Sequence, residues 1–574
     1  MRRAALWLAA LLGLGGAVAA QDRSVVHVVD DRELVAVRVV PFHGAAGAGG
    51  FGFVLVAAEN RDDTAHRVVV DLASRSWGSS SIAVHRELLL GPRELGRCFL
   101  PLPTTSDNGM QLDLEVDGTA YPGSISGSNT HGATGLLVAT RSDAEPWGLT
   151  VMQAIQRVGK PPAEVVPAAP EDLPADWRLF TGFCAVVVDG RTRLPDDVQD
   201  ALVRYVRSGG TIVIGSVDRL PAGELRQRCV ATDSGGIARC GLGQFVVVAT
   251  DGDTTALRER LAALPQAGST GWPAPQALLQ EQFVPGLGEA PVLVFLVVIL
   301  LFAFVVGPLN FLLLRRWRRP LLVLVTVPLC GIGTTLAMLG YGLVHDGLGV
   351  RGVVRSWTLL DQDRHEATSL AARTLFAGLS PDLLTIAPDG FVLAPRTTFR
   401  DDRSSPDRWQ FDPVANVLDG GVLPSRASTP LLSARQGIAR QRLRARTAGD
   451  RLELLLDGGV VPIGEVLLHD ADGRMWLGEA PFLLPATDAA ARAALDRWLG
   501  AAGVLVTRTQ GSGSEVSSVH PFVASLLGGR ELPRGSYAAS VAEAPWLDEH
   551  GLHVAYDQIQ HFVVGRLAAE DFVR

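Results

Sequence analysis

Two long apolar runs, separated by a short basic segment, dominate the pattern of hydrophobic and polar positions along the chain. Val292–Leu314 contains 23 uncharged residues and Leu321–Val344 contains 24. At 1.5 Å per residue, each run forms a helix long enough to cross a hydrocarbon layer of about 30 Å. Because the connection is too short to hold a domain, the pattern predicts a two-helix transmembrane hairpin over residues 292–344.

The segment 315–320 between the two runs contains four arginines, which are Arg315, Arg316, Arg318 and Arg319. Basic residues are concentrated in the cytoplasmic loops of membrane proteins. The loop is therefore predicted to be cytoplasmic, and the regions on both sides of the hairpin are predicted to lie outside the cytoplasm.

The amino terminus has the organisation of a secretory signal. Two arginines precede an apolar segment, Ala4–Val18, and small residues follow it up to Ala20. This arrangement predicts a signal peptide over residues 1–20, with an uncleaved anchor helix as the alternative. Together with the cytoplasmic loop, it predicts a bacterial inner-membrane protein whose amino- and carboxyl-terminal domains are both periplasmic.

Short strands with polar turns between them are predicted over residues 21–130. Phe51–Asn60 and His66–Leu72 flank a polar turn, and Met110–Val116 alternates apolar with polar residues. This pattern is typical of a β-sandwich, and the polar turn is similar to hairpin turns of immunoglobulin-like modules. A G-x-G-x-x-G sequence at Gly47–Gly52 precedes a strand rather than a helix, so it predicts a hairpin loop and no cofactor.

Residues 131–262 alternate apolar strands with helical segments. Phe183–Val188 and Thr211–Gly215 are apolar strands, and Leu194–Ser208 between them has helical spacing. This alternation predicts an α/β domain with a parallel sheet, because strands buried on both faces lose the period of two. A linker rich in Pro, Gly and Gln follows over residues 263–291.

Three segments of this region carry a resemblance to a known family. They are Cys184–Gly190, the helix start at Leu194-Pro195, and Tyr205–Gly215. These segments resemble the central part of class I glutamine-amidotransferase-like domains, which have a flavodoxin-like fold. The resemblance implies such a fold here, and in catalytic members the nucleophile follows the strand equivalent to Thr211–Gly215.

Two departures from that pattern argue against catalysis. Ile214 and Asp218 stand where the strained nucleophile turn needs glycine. None of the 12 histidines lies between residues 132 and 344, so the domain supplies no base for Ser216 or Cys184. We therefore expect no catalytic residue, although the carboxyl ends of the strands could still form a crevice for a small-molecule ligand.

Residues 345–574 are predicted to form a β-rich exported domain. Arg396–Leu423 is polar and contains Pro and Gly, which predicts a long loop. His550, His553 and His561 have a spacing that invites a metal interpretation. On a strand Gly551–Asp557, however, His553, Ala555 and Asp557 share a solvent face, so we expect a polar surface and no metal.

The apolar hairpin has internal features that predict how its helices pack. Pro308 frees a backbone carbonyl and is expected to kink the first helix. Asn310 and Thr326 lie at similar depth, so their side chains are expected to hydrogen-bond across the hairpin. Gly333 and Ala337 form a small-x-x-x-small face, which predicts close packing.

The hairpin also carries a resemblance of its own. Val306–Arg316, the arginine loop and Thr326-Val327-Pro328 resemble a recurring pattern in uncharacterised bacterial inner-membrane proteins. Those proteins join exported β-sandwich and amidotransferase-like domains to a helical pair. The resemblance implies the same architecture for this chain and no particular chemistry.

Cys229 and Cys240 flank a segment that can turn at Asp233–Gly236. A hairpin with that turn sets the two cysteines opposite each other, with Cα atoms about 4.5 Å apart, near the lower limit for a bridge. Because an exported domain lies in an oxidising compartment, we predict a disulfide between them.

Composition narrows the function further. The net charge is −8 and the basic residues are scattered, which argues against nucleic-acid binding. Export, the anchor, the sandwich and an α/β domain without catalytic groups favour a non-catalytic scaffold or ligand-sensing component of a cell-envelope complex. Its partners would be the membrane and other envelope proteins. Two alternatives stay open: a periplasmic amidase or hydrolase that uses the α/β domain, and a solute-binding accessory of a transporter.

Overall fold

The computed structural model describes residues 26–29, 34–43, 50–74, 81–103, 110–125, 135–139, 164–189, 193–215, 223, 225–226, 236–248, 292–317, 320–381, 383–387, 389–393, 408–412, 416–419, 423–455, 460–502, 505–509, 515–519, 531–547 and 552–573. The predicted signal peptide and the predicted linker lie outside these residues.

The described residues of the first region contain eight strands. They are β1 (Val26–Val29), β2 (Val35–Phe42), β3 (Phe51–Asn60), β4 (His66–Ser74), β5 (Ser81–Leu90), β6 (Leu95–Pro103), β7 (Met110–Val116) and β8 (Thr119–Ile125). β3 and β7 have the bounds predicted from the sequence. β2 and β3 pair as an antiparallel hairpin, so the glycine-rich segment between them connects two strands.

Two sheets of this region pack face to face around one core, which is the arrangement of a β-sandwich. One sheet has the antiparallel order β1-β2-β3-β6, and the other contains β5-β4-β7-β8. Val37 and Val56 of the first sheet share a buried cluster with Val70 and Leu114 of the second. β3 is also buried on its opposite face, which explains why its sequence is apolar rather than alternating.

The second region consists of a mostly parallel sheet and one described α-helix. Its elements are β9 (Gly135–Ala139), β10 (Glu164–Ala168), β11 (Ala185–Asp189), α1 (Asp196–Arg207), β12 (Thr211–Gly215), β13 (Ile237–Cys240) and β14 (Gly243–Val248). The strand order is β10-β9-β11-β12-β14-β13, and every pair is parallel except β13 with β14. β12 lies inside the sheet and all five of its residues are buried.

Helix α1 packs on this sheet through its apolar side. Acidic residues occupy its first turn and arginines its last turn, which suits the helix dipole. Tyr205 on the buried side donates a hydrogen bond to the Phe183 carbonyl at 2.9 Å. The helix stops at Gly209, whose φ of 115° favours glycine.

The apolar hairpin consists of α2 (Val292–Phe304), α3 (Asn310–Trp317) and α4 (Val323–Asp346). A π-helical turn, Val305–Leu309, joins α2 to α3 around Pro308. Helix α3 continues to Trp317, so Arg315 and Arg316 lie in its last turn rather than in the predicted loop 315–320. Arg318 and Arg319 lie outside the described residues.

The region after the hairpin is rich in strands. They are β15 (Val350–Asp361), β16 (Glu366–Ala377), β17 (Leu383–Thr385), β18 (Gly390–Leu393), β19 (Arg408–Asp412), β20 (Val417–Asp419), β21 (Ser428–Ile438), β22 (Arg444–Ala448), β23 (Arg451–Leu455), β24 (Pro462–His469), β25 (Met475–Glu479), β26 (Phe482–Ala486), β27 (Leu505–Thr509), β28 (Glu515–Val519), β29 (Ser536–Val541), β30 (Val554–Arg566) and β31 (Phe572–Val573). One helix, α5 (Asp488–Ala501), precedes β27.

Twelve of these strands form one sheet in the order β18-β21-β16-β15-β30-β29-β24-β25-β26-β23-β22-β31. Its two long central strands, β15 and β30, run parallel although the chain connects them through nearly 200 residues. One face of the sheet encloses a core that contains Leu360, Trp476 and Tyr537. Part of the other face packs against α5, where Trp498 meets Phe562 edge to face.

The predicted long loop Arg396–Leu423 is wrong in its central part, because β19 and β20 lie within it. β19 pairs in parallel with β5, so that Gln410 is the register partner of Ala83. The second sandwich sheet is therefore completed across the hairpin and has the order β17-β20-β19-β5-β4-β7-β8. Residues 408–412 alternate polar with aromatic residues, which is a strand pattern too short to stand out in the sequence.

The regions before and after the hairpin also share a hydrophobic core. A single cluster runs from Phe53 of the sandwich through Leu202 of α1 to Trp357 and Leu495 of the last region. Outside this core, Arg207 of α1 forms an ion pair with Glu366 of β16 at 2.9 Å. The three strand-rich regions therefore pack against one another and do not form independent domains.

Candidate functional site

The hairpin helices expose apolar side chains on almost every side. The spans Phe295–Trp317 and Val323–Tyr341 are long and apolar enough to cross a membrane by length and composition. Leu300, Leu324 and Leu336 are 62%, 76% and 61% exposed. A core helix of a water-soluble protein buries such side chains, whereas a helix in lipid presents them to the hydrocarbon.

The shared sheet restricts how the chain can lie across a membrane. β5 precedes the hairpin and β19 follows it, and the two strands are direct neighbours. Both flanking regions must therefore lie on the same side of any membrane that the helices cross. Two crossings by one hairpin satisfy this requirement.

The contact between the two hairpin helices is polar near the connecting segment. Asn310 Nδ2 donates a hydrogen bond to Thr326 Oγ1 at 2.9 Å, which is the pairing expected from their similar depth. Pro308 is accommodated in the π turn, where the Asn310 amide donates to the carbonyls of Val305 and Gly307. The proline therefore widens the helix locally.

Gly333 and Ala337 do not form the close contact that the sequence predicted. A Cβ added at Gly333 would meet no atom within 4 Å, and Ala337 is exposed. Thr334 and Met338 are part-buried instead. Thr326, Cys330, Thr334 and Met338 are part-buried at i, i+4 spacing and form one row along α4, and Gly333 and Ala337 lie one position off this row.

Replacing Asn310 by leucine is expected to weaken the hairpin by about 0.6–2 kcal/mol, because Thr326 loses its partner in an apolar environment. Unfolding of the full chain in detergent, followed by circular dichroism during titration with a denaturing detergent, measures the change. A double-mutant cycle with Thr326→Val isolates the coupling. Thr335→Val is the matched control, since the Thr335 hydroxyl bonds the Gly331 carbonyl of its own helix.

The cysteines that the sequence singled out as a possible nucleophile or disulfide partner are buried where the structure describes them. Cys184 is buried directly before β11, at 7% exposure, and Ser216 lies outside the described residues. Cys240 is buried on β13, where Gly243 of β14 is its register partner. Cys229 lies outside the described residues, so the disulfide stays a prediction.

Two of the three histidines considered for a metal site are described, and they lie in different environments. His553 and Asp557 are exposed on one side of the chain at the start of β30, whereas His561 is buried and His550 lies outside the described residues. Within the part of the chain that the structure describes, histidine, cysteine and acidic side chains do not gather into a metal-binding group. The expectation of no metal stays a prediction.

The parallel pairing of β15 with β30 creates a serine–histidine pair that the sequence did not indicate. Ser356 Oγ and His561 Nδ1 lie 2.7 Å apart, although the residues are separated by 205 positions. Burial, with a smaller contribution from the nearby charge of Arg373, lowers the pKa of His561 to about 4. Ser356 is fully buried and His561 is 9% exposed, so the pair is closed to a substrate and acts as a satisfied polar contact in the core.

A buried arginine fastens the second region to the last one. Arg178 Nη2 lies 2.7 Å from Asp176 Oδ2, and its Nη1 donates to Asn416 Oδ1 at 2.6 Å. Arg178 is 8% exposed, so removal of its side chain is expected to cost more stability than removal of one partner from a surface ion pair. Arg178 lies in a 3₁₀ turn, Trp177–Phe180. The Phe51 amide donates to Thr181 Oγ1 at 3.0 Å, directly after this turn, and so links the sandwich to it.

A charged cluster closes one tip of the sandwich. His66 Nδ1 lies 2.5 Å from Asp117 Oδ2, and His66 Nε2 lies 3.2 Å from Asp62 Oδ2. The hydrogen bond with Asp117 raises the pKa of His66 above its usual value. Hydrogen bonds from Thr64, from the Asp63 backbone and from His66 lower the pKa of Asp62 to about 2.

This cluster predicts a pH dependence of stability. The His66 contribution is complete below pH 6.5 and is lost as the pH rises through the raised pKa of the folded state. The Asp62 contribution is present above pH 3.8 and is lost as the pH falls toward 2. His66→Gln is therefore expected to lower the melting temperature at pH 5–6 more than at pH 9, whereas His553→Gln, which changes an exposed histidine, should shift both equally.

One cavity lies between β17 and the face formed by β16 and β21. Its volume is about 70 Å³ and its lining is mainly apolar, with Arg373 and Arg435 as its charged members. Arg435 Nε lies 3.2 Å from Asp389 Oδ1, so this arginine is already paired. Pockets for drug-sized ligands are about 300–1,000 Å³, so this cavity is too small for a ligand of that size.

Comparisons with known proteins do not identify a family for the chain. No family model matches it, and no curated protein matches it. A solved structure of a Paenibacillus sp. cycloisomaltooligosaccharide glucanotransferase, complexed with cycloisomaltoheptaose, is similar at 10% sequence identity and a TM-score of 0.14. The match covers 31% of this chain and 27% of the glucanotransferase, and a TM-score this low carries no argument about fold or activity. The chain is defined by its architecture: several strand-rich regions joined through two apolar helices.

Proposed function

We propose that the chain is a membrane-anchored, non-catalytic scaffold of the bacterial cell envelope. The observation that carries the proposal is the pairing of β5 with β19 across the hairpin. This pairing converts the regions before and after the anchor into a single body on one side of the bilayer. A body held at the membrane through two helices is suited to positioning other proteins.

The proposed location is the inner membrane, with the strand-rich body in the periplasm. The signal-like amino terminus and the four arginines around the helix connection support this orientation. Arg315 and Arg316 are exposed at the carboxyl end of α3, where a cationic residue is favoured by the helix dipole and can reach lipid phosphates.

We propose that the second region is a flavodoxin-like domain related to the class I glutamine amidotransferases, without their activity. Its first four strands have the spatial order 2-1-3-4, which is the order at the start of the flavodoxin sheet. Burial of Cys184 in the core supports a structural role for that thiol. The sandwich would be its immunoglobulin-like neighbour.

Partners are proposed to be other envelope proteins that contact the strand-rich body. Chemical cross-linking of the full chain in native membranes, followed by mass spectrometry, tests the proposal. We expect reproducible links to the same envelope proteins from residues before and after the hairpin. A chain that purifies without cross-linked partners, or one that hydrolyses an amide substrate in an activity screen, would contradict a non-catalytic scaffold.

A further inference from the structure

The last region begins almost without a linker at the end of helix α4. The helix ends at Asp346 and β15 begins at Val350, so three residues separate them. The four residue steps from Asp346 to Val350 span at most about 14 Å. The start of β15 therefore lies close to the surface of the membrane that α4 is proposed to cross.

This junction is held rigidly rather than loosely. The Gly378 amide, just after β16, donates to the Gly349 carbonyl at 2.9 Å. A Cβ added at Gly378 would collide with the Gly347 backbone, and Gly347 itself has a φ of 77°. The end of the sheet is therefore packed directly onto the exit of the helix.

Three leucines face outward near this junction, two at the end of the large sheet and one, Leu383, on β17 of the sandwich sheet. β17 reaches the junction because its Leu384 shares a buried cluster with Val350 and Ala377 of the large sheet. Leu348, Leu379 and Leu383 are 56%, 57% and 54% exposed. Leu348 belongs to the junction, Leu379 follows the pinned Gly378, and Leu383 opens β17. The adjacent Leu384 is 9% exposed, so β17 turns one leucine into the core and the other outward.

A basic residue accompanies the leucines. The Arg426 amide donates to the Ala377 carbonyl at 2.7 Å, at the end of β16, and its side chain is exposed. Ser425 Oγ donates to the Gly378 carbonyl at 2.7 Å and fixes the same turn. Leucines beside an arginine are the composition of a surface that enters the headgroup layer, with the guanidinium on phosphate.

We propose that Leu348, Leu379 and Leu383 insert into the interfacial layer of the bilayer that the hairpin crosses, with Arg426 on anionic headgroups. This surface, the leucine foot, would hold the large sheet against the membrane and fix its orientation. The inference rests on the proposed membrane anchorage. Continuity with α4 favours lipid as the occupant over a second copy of the chain or a protein partner.

Depth measurements on the full chain test the leucine foot. One cysteine at a time is introduced at Leu348, Leu379 or Leu383 in a Cys330→Ala background and labelled with a fluorophore. Four native cysteines remain in this background, of which Cys98, Cys184 and Cys240 are buried, and the background without an introduced cysteine is the blank for their labelling. The protein is reconstituted in vesicles of phosphatidylcholine and phosphatidylglycerol that contain spin-labelled lipids. We expect quenching at the three sites to exceed that at Ile438→Cys by roughly twofold or more, since doxyl groups act only near the bilayer.

Ile438 is a matched control because it is 79% exposed but lies at the opposite end of β21, about 34 Å from the end nearest the junction. A label at Leu336→Cys, inside α4, reports the anchorage independently. Strong quenching at Leu336 with leucine sites equal to Ile438 would overturn the leucine foot and leave the anchorage intact. Absence of quenching at Leu336 would overturn the anchorage itself.

The same labelled variants also test whether a second copy of the chain, rather than lipid, covers the leucine foot. Protection of the leucine sites that grows with protein density, together with cross-links between copies at these cysteines, would assign the surface to a second copy and overturn the proposal.

Arg426→Gln is expected to reduce quenching at the leucine sites in vesicles with phosphatidylglycerol and to leave it unchanged in phosphatidylcholine alone. An equal reduction in both lipids would contradict the headgroup contact.

Discussion

Replacement of Phe53 by alanine is expected to lower the free energy of unfolding by about 3–5 kcal/mol, the range for large-to-small changes in a packed core. Phe53 is fully buried in the sandwich and stacks on Phe42 with ring centroids 4.5 Å apart. It also meets Phe99, Phe180 and Phe183 at 6.0, 6.3 and 6.1 Å. The substitution therefore opens a cavity between the sandwich and the second region.

Urea unfolding of the full chain in mild detergent, followed by circular dichroism and tryptophan fluorescence, measures this loss. Phe482→Ala is the matched control, because Phe482 is a strand residue that is 48% exposed. It should cost about 1 kcal/mol or less. Equal losses for the two variants would mean that Phe53 does not occupy a shared core.

Replacement of Arg178 by alanine is expected to destabilise the junction by about 2–3 kcal/mol. The change leaves the carboxylate of Asp176 and the amide of Asn416 without their buried partner, which is more costly than losing a surface pair. Asp176 keeps some contact with water at 32% side-chain exposure, so the loss falls below that of a fully buried pair.

Limited proteolysis of the full chain measures the junction directly, because a loosened junction exposes the backbone at Asn416 and Gly390, which accept hydrogen bonds from Arg178. Arg67→Ala supplies the control: its partner Glu87 lies 2.7 Å away, but the two side chains are 51% and 39% exposed. That change should cost no more than about 1 kcal/mol. An Arg178 variant as resistant to protease as the Arg67 variant would contradict the proposed fastening role.

Local sequence patterns predicted the elements that depend on local physics. The apolar helices follow from length and absence of charge, and Thr211–Gly215 was predicted at its observed bounds because a strand buried on both faces is a continuous apolar run. The Asn310–Thr326 pairing could be predicted because polar groups in an apolar hairpin have few alternative partners.

Contacts between segments that are distant in the sequence could not be predicted from local sequence patterns. β19 has five residues, and its partner β5 precedes the hairpin in the sequence whereas β19 follows it. Local sequence therefore does not specify the pairing. Ser356 and His561 meet only because β15 and β30 pair in parallel. The packing prediction at Gly333 considered residue size alone, whereas the orientation of α4 decides which small residues face its neighbour.

The most direct test of the central claim is a disulfide across the β5–β19 pair. Ala83 and Gln410 are register partners in adjacent parallel strands, whose spacing of about 4.8 Å suits a disulfide. Ala83→Cys and Gln410→Cys are combined in the full chain with a protease site inserted in segment 268–274. After oxidation and cleavage, the two fragments should migrate together without reductant and separate with it. The control pair Leu89→Cys and Gln410→Cys, about 20 Å out of register, should stay separable. Fragments of the Ala83–Gln410 variant that separate without reductant would contradict a single body built across the apolar hairpin.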